Sequence, residues 1–228
     1  MYSNEKVTII MPVYNEEKTV AEVIKRVLAQ PMVDELVVID DCSNDKSIEQ
    51  IKSIGSGNIT LVKNEENRGK GYSVRKGLDH VKDGLILIQD ADTEYMPEDY
   101  PKLFDALKDN NIVFGTRMIG DNTGHHYMLA KIGNAFLTDM FNLLYKQHIT
   151  DLNTCYKIFR KSMLEGITLK ENGFLIEEEI SIKLARKGYK IDEVPVSYKG
   201  RTYEEGKKIK MSDGFKGITY IFSSLFER

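Results

Sequence analysis

The chain has 228 residues, of which 41% are hydrophobic and 29% charged, and a net charge of −3. This fits one large α/β domain or two small ones with a sizeable core, and it excludes a disordered chain. The mild charge excess also excludes a strongly basic surface, so no nucleic acid is expected as a partner.

The charge is unevenly placed. Residues 1–116 carry 14 basic and 21 acidic side chains, whereas residues 117–228 carry 18 and 14. An acidic first half suits a metal site, and a basic second half suits an anion or anionic surface. Cys42 and Cys155 lack metal spacing and are read as reduced thiols, which sets the expectation of a cytoplasmic protein. Residues 1–6 are polar and are not read as a signal peptide. No apolar run approaches the roughly 18 residues of a membrane helix, so peripheral membrane contact is expected rather than a span.

Val7 to Val13 is an apolar run that predicts a buried strand. In the loop after it, Asn15 is a candidate helix cap, and Glu16 and Glu17 favour the positive helix start. A helix follows to about Leu28, with Val20, Val23, Ile24 and Val27 at helical spacing. Glu35 to Asp41 predicts a second buried strand ending in paired carboxylates, with Asn44 or Asp45 as a cap for the next helix. Ile59 to Val62 is a third strand. Gly69-Lys70-Gly71 then opens a helix to about His80. It is either a phosphate approach or a flexible turn, and it matches neither the P-loop nor the dinucleotide fingerprint.

Leu85 to Ile88 predicts a strand buried on both faces, followed by Gln89-Asp90-Ala91-Asp92. Residues two apart in extended chain point the same way, so both carboxylates address one spot beyond the sheet edge. Ligands of open parallel sheets bind at that edge, and paired carboxylates there suit a divalent ion on substrate phosphates. The alternative is a polar turn. A helix starts at Pro97, and Ile112 to Thr116 is a further strand ending at Arg117. Strands alternating with helices predict βαβ units and a mostly parallel sheet.

Beyond Arg117 the pattern changes. His125 to about Lys146 predicts one or two helices, and the adjacent His125 and His126 lack metal spacing. Asp151 to Arg160 reads as a strand entered from a polar loop. Phe174 to Lys187 is helical and carries Glu177-Glu178-Glu179, and Tyr189 to Tyr198 is a last strand. A basic loop around Arg201 and Lys207 precedes a C-terminal amphipathic helix. Its stripe of Phe215, Ile218, Ile221, Phe222, Leu225 and Phe226 is read as core or subunit packing, with an interfacial helix as the alternative.

Together the motifs resemble those of the family 2 glycosyltransferases of the GT-A type. They are most similar to the polyprenyl-phosphate sugar transferases such as dolichol-phosphate mannose synthase. The parts are Met11 to Glu16, Asp40 to Asp45, Asn67 to Gly71, Gln89 to Asp92, Gly115 to Arg117, Asp151 to Lys157, and Val194 to Tyr203. The resemblance implies an α/β GT-A (Rossmann-like) single domain, with a nucleotide-sugar-binding half (1–116) and an acceptor-binding half (117–228). It implies inverting, metal-dependent transfer of a hexose from a nucleotide-diphosphate sugar, such as GDP-mannose or UDP-hexose, to a polyprenyl phosphate.

By the same resemblance, Pro12, Tyr14, Glu16, Asp41, Lys70, Asp90 and Ala91 border the nucleotide sugar. Asp92, with Glu94 as a helper, holds Mg2+ or Mn2+. Arg117 and Lys131 face the acceptor phosphate, and Arg201 and Lys207 close over the donor diphosphate. A membrane partner protein or a homodimer is implied in place of membrane helices. A hydroxyl acceptor would instead need a base among Glu177, Glu178 and Glu179. Nucleotidyltransferase and dehydrogenase readings fail because residues 12–16 lack the glycine-rich loop that they need there. A non-catalytic sugar-nucleotide-binding protein is the remaining alternative.

Overall fold

The structure is a computed structural model that describes residues 5–108, 111–119, 128–201 and 211–226. The elements are β1 (Val7–Val13), α1 (Val20–Leu28), β2 (Val33–Asp40), α2 (Ser47–Ser53), β3 (Ile59–Lys63), α3 (Lys70–His80), β4 (Leu85–Ile88), α4 (Tyr100–Ala106), β5 (Asn111–Thr116), α5 (Met128–Tyr145), β6 (Lys157–Arg160), α6 (Ile176–Arg186), β7 (Lys190–Pro195) and α7 (Met211–Ser223). One seven-stranded sheet runs in the order β3-β2-β1-β4-β6-β5-β7. The β1, β2, β3 and β4 pairings are parallel, and so is β5 with β7. Only β6 is antiparallel to its neighbours, β4 and β5.

This is the expected α/β sheet flanked by helices. The boundary at residue 116 is not a break in the fold, because β6 of the second half lies between β4 and β5 of the first. The central strands are the apolar runs of the sequence. Ile9, Ile10, Met11, Val38, Ile39 and the whole of Leu85–Ile88 are buried. Covering both faces removes apolar surface from water at roughly 25 cal/mol per Å2, the main stabilising term for such a core.

Several boundaries differ from the sequence reading. The strand expected from Asp151 starts only at Lys157, because residues 151–156 are held by side chains instead of a ladder. Helix α1 starts at Val20, and Asn15 does not cap it. Asn15 has a φ of 51° and turns the chain. Residues 97–99 form a 3-10 turn ahead of α4. The C-terminal stripe is divided: Ile221 is buried, whereas Phe222, Leu225 and Phe226 are exposed. Among the described residues no helix is long and apolar enough to cross a membrane.

A buried network fixes the chain as it leaves β4. The Tyr100 and Tyr156 hydroxyls both donate to Gln89 Oε1, at 2.8 and 2.7 Å. Gln89 Nε2 donates to the Asp90 carbonyl at 2.8 Å. Tyr156→Phe removes one donor, and Gln89 still accepts from Tyr100. Gln89→Leu strands two buried hydroxyls. Urea denaturation should therefore show a loss of about 1 kcal/mol for Tyr156→Phe and about 2–4 kcal/mol for Gln89→Leu. Equal losses would contradict this account.

Candidate functional site

Because β1, β2 and β4 run parallel, their carboxyl ends share one sheet edge, where Pro12 lies near the end of β1 and the loops bearing Tyr14, Asp41 and Asp90 to Asp92 emerge. The first two loops are stitched together. Asn15 N donates to Ser43 Oγ at 3.0 Å, Glu16 N to Ser47 Oγ at 2.8 Å and Glu17 N to Asp45 Oδ2 at 3.0 Å. Asn44 N donates back to Asn15 Oδ1 at 2.9 Å. Polar residues that read as helix caps are thus used to weld two loops and to aim Glu16 inward.

Glu16 is 8% exposed and meets the loop after β4. Thr19 Oγ1 bridges them, donating to Glu16 Oε2 at 3.0 Å and to the Ala91 carbonyl at 3.1 Å. Arg201 then joins three carboxylates. Its guanidinium reaches Glu16 at 3.0 and 3.2 Å and Asp92 Oδ2 at 2.5 Å, and its Nε lies 3.8 Å from Glu94. Its backbone N–H donates to Glu94 Oε1 at 2.6 Å. Burial, with Asp90 and Glu94 adding to it, pushes the Asp92 carboxyl up to about 7 even though Arg201 pulls it down. The edge holds more negative charge than Arg201 neutralises.

The Asp90 and Asp92 carboxylates have different partners. Asp90 Oδ1 pairs with Lys70 Nζ at 2.7 Å, and Lys70 also approaches Glu177 at 2.9 Å. Lys70 thus meets carboxylates at the start of α3. The Gly-x-Gly pattern has a packing cause. A Cβ on Gly71 would stand 2.4 Å from the Glu171 carbonyl oxygen, and one on Gly69 2.5 Å from that of Asn172. Tyr72 N donates to the Asn172 carbonyl at 3.1 Å. Backbone carbonyls thus cover the helix start that would otherwise attract an anion. Asp41 is 3% exposed, and its carboxylate accepts from Asn64 Nδ2, Arg68 N and Gly69 N. It ties β2 to the loop before α3.

On the acceptor side, Arg117 is 8% exposed and grips Asp151 bidentately, with Nε and Nη2 each 2.7 Å from a carboxylate oxygen. Asn134 Nδ2 donates to the same carboxylate at 2.8 Å, and Lys131 lies one turn earlier on α5. Glu193 holds the Thr150 and Asp151 N–H groups. Arg117 also lies 5.1 Å above the Tyr198 ring, and the Tyr198 hydroxyl donates to Glu94 Oε2 at 2.7 Å. One side chain thus links the Arg117 cluster to the three-carboxylate cluster. Lys207, His125 and His126 lie outside the described residues.

The three consecutive glutamates of α6 separate cleanly. Glu179 accepts from the Lys170 and Glu171 N–H groups and pairs with Lys183 at 2.5 Å. Glu177 pairs with Lys70 and, at 2.9 Å, with Lys157. Asp151 and Lys157 are members of these clusters to which sequence reasoning assigned no role, and Glu177, read there only as a candidate base, is instead an ion-pair partner of two lysines. The signal available was a lysine flanked by apolar residues at a predicted strand. Glu178 is 4% exposed, with Oε1 against Gly217 of α7 and Leu137 of α5 close by. Burial, partly offset by its own backbone N–H and by Lys157, pushes its carboxyl up to about 7.

A carboxyl whose folded-state pKa exceeds its unfolded value binds a proton on folding between the two. Stability from Glu178 is therefore present below about pH 4.3, its unfolded value, and is lost as pH rises through about 7. Glu178→Gln should raise the melting temperature at pH 8 by clearly more than it does at pH 5. A fall at pH 8 would show that the ionised carboxylate is stabilised where it lies.

The geometry can be set beside known proteins. The glycosyl transferase family 2 profile matches residues 8–168. Glycosyltransferase AglJ of Haloferax volcanii is 30% identical over 230 residues, covering all of this chain and 73% of its own length. A dolichol-phosphate mannosyltransferase of Pyrococcus furiosus is 29% identical over 225 residues, 95% of this chain and 63% of that protein. Glucosyl-3-phosphoglycerate synthase of Mycobacterium tuberculosis, solved with UDP, superposes with a TM-score of 0.69 at 18% identity, over 96% of this chain and 79% of that one. The mannosyltransferase PcManGT of Pyrobaculum calidifontis, solved with GDP-Man and Mn2+, gives 0.60 at 19% identity, over 84% and 55%. The two structures share the fold. From the matched profile and the relatives, this chain belongs to glycosyl transferase family 2 and is a glycosyltransferase.

Proposed function

We propose that the chain moves a hexose, with inversion, from a nucleotide-diphosphate sugar to a polyprenyl phosphate. The observation that carries this reading is the Glu16, Asp92 and Glu94 cluster gathered on Arg201 at the carboxyl edge of the sheet. Among the described residues no three acidic, His or Cys groups form a ready-made metal cage. That fits Mg2+ or Mn2+ held by one or two carboxylates plus substrate phosphates. The excess negative charge that raises Asp92 fits it as well. Asp92 and Glu94 would hold the ion, which when bound offsets negative charge on the leaving nucleoside diphosphate. Pro12, Tyr14 and Ala91 would border the nucleoside, and Asp90 would contact it.

The chain's own residues do the rest. Arg201 already stands beside Asp92, so a diphosphate brought there meets its guanidinium, a fixed donor that needs no reorganisation. A phosphate acceptor is ionised near neutral pH, with a second pKa of about 6, so it needs positioning and no base. Lys131, one helical turn before the Asn134 that bonds Asp151, would serve that role together with Arg117. Ile132, Phe136 and Leu143 of α5, and Phe222, Leu225 and Phe226 at the end of α7, are exposed apolar side chains suited to a lipid surface. A second reading, a hydroxyl acceptor, draws on the buried Glu178, whose raised pKa suits a base near neutral pH.

Purified protein assayed with sugar nucleotides, Mn2+ and polyprenyl phosphate tests the first reading. Asp92→Asn should lower kcat by about a hundredfold or more while the melting temperature holds. Glu178→Gln should leave transfer to polyprenyl phosphate intact, and its loss would favour the hydroxyl reading. Separately, Phe136→Ser with Leu143→Ser removes about 1.5–3 kcal/mol of burial per side chain on a membrane. Sedimentation with anionic phospholipid vesicles should then show at least about tenfold weaker binding. Unchanged sedimentation would remove the lipid surface from the proposal.

A further inference from the structure

A chain of alternating charges runs from the core to the sheet edge. Lys157, the first residue of β6, is fully buried. Its ammonium donates to the Leu152 carbonyl at 3.1 Å, to the Thr154 carbonyl, and to Glu177 Oε2 at 2.9 Å. Glu177 Oε1 lies 2.9 Å from Lys70 Nζ, an ion pair outside hydrogen-bonding angles. Lys70 closes the chain on Asp90 Oδ1 at 2.7 Å. Side-chain exposure climbs along it, from 0% at Lys157 through 6% at Glu177 and 13% at Lys70 to 23% at Asp90. The dry end is anchored in β6 and α6, and the wet end faces the candidate site.

Stability alone does not explain this arrangement. Buried ion pairs replaced by apolar side chains of similar volume commonly leave a protein as stable or more so. A consistent position and charge for Asp90 does explain it. Burial opposes the Lys70 ammonium, but the Asp90 and Glu177 carboxylates outweigh burial and hold its pKa well above the usual lysine value. Burial and then Asp90 push the neighbouring Cys155 thiol well above its usual value, so it adds no competing charge. Lys70 is turned away from phosphate duty, since carbonyls of residues 171 and 172 cover its helix start.

We infer that Lys70 and Glu177 are positioning residues for the donor. Glu177, seated on Lys157, holds the Lys70 ammonium where it fixes the Asp90 carboxylate for the nucleoside. This rests on the reading of Asp90 as a nucleoside contact, and Asp90→Asn tests that step separately.

Binding of UDP and of GDP, each with Mn2+, is measured by calorimetry on the full chain. Asp90→Asn should weaken the preferred nucleotide. Lys70→Met should weaken it about tenfold, the usual scale for a supporting residue, and Lys70→Arg should restore most of the loss. Glu177→Leu with Lys157→Met removes the inner pair without stranding a charge. It should match Lys70→Met in affinity with the melting temperature held, and adding it to Lys70→Met should cost nothing further. Additive losses overturn the inference, and so does a Lys70→Met that binds like the parent. The Lys70→Met result stands even where the inner-pair variant fails to fold. If Asp90→Asn binds normally, or neither nucleotide binds the parent, the nucleoside reading falls and the positioning role falls with it.

Discussion

Four carboxylates, Glu16, Asp90, Asp92 and Glu94, share one edge of the sheet, and the site is built to manage their repulsion. Two unit charges about 4 Å apart repel by about 4 kcal/mol in the effective dielectric of a protein surface. Two cations among the described residues answer them and are mounted differently. Lys70 rests on buried charges of α6 and β6, whereas Arg201 follows β7 and meets the cluster from the far side of the chain. Asp90 is therefore a fixed anion. Asp92 stays partly uncompensated, with its carboxyl pushed up to about 7 by burial and by its acidic neighbours. A group in that state takes up a cation or a proton, and under the proposed function a divalent ion would supply the missing charge.

The sheet topology makes this possible. Inserting β6 antiparallel between β4 and β5 puts Lys157 beside the strand that leads to Asp90, and it carries residues 151–156 up to the Arg117 post. The halves divided at residue 116 by charge are interleaved in space. Glu94 shows the consequence, for it meets Arg201 and, through the Tyr198 hydroxyl, the ring that stacks on Arg117. Tyr198 thus couples the carboxylate cluster to the Arg117–Asp151 pair across the two halves.

Much of the fold was legible, because a strand buried on both faces is an apolar run and no other feature of this chain makes one. The strands at 7–13, 85–88 and 111–116 stood out on that ground. The edge carboxylates were legible too, since parallel strands end together. What was hidden came from side chains satisfying each other across long sequence gaps. Asn15 looks like a cap and instead joins two loops 28 residues apart, and Asp45 does both, accepting from Ser47 N at the start of α2 and from Glu17 N across the gap. Glu177, Glu178 and Glu179 look equivalent, yet the helix sends one to a lysine pair, one to a backbone segment and one into the α5–α7 interface.

Gly69-Lys70-Gly71 shows most sharply why composition misleads here. Small residues beside a lysine before a helix permit close approach of something, and the pattern does not say of what. In a phosphate loop it is a ligand oxygen; here it is the carbonyls of residues 171 and 172, in a segment whose Lys170 and Glu171 N–H groups donate to Glu179. The lysine is then left to face inward. An inward lysine must find anions, and Asp90 and Glu177 are the ones within reach. The same closeness that seals the helix start against phosphate thus commits Lys70 to Asp90. The glycines shape the site by deciding which way one ammonium points.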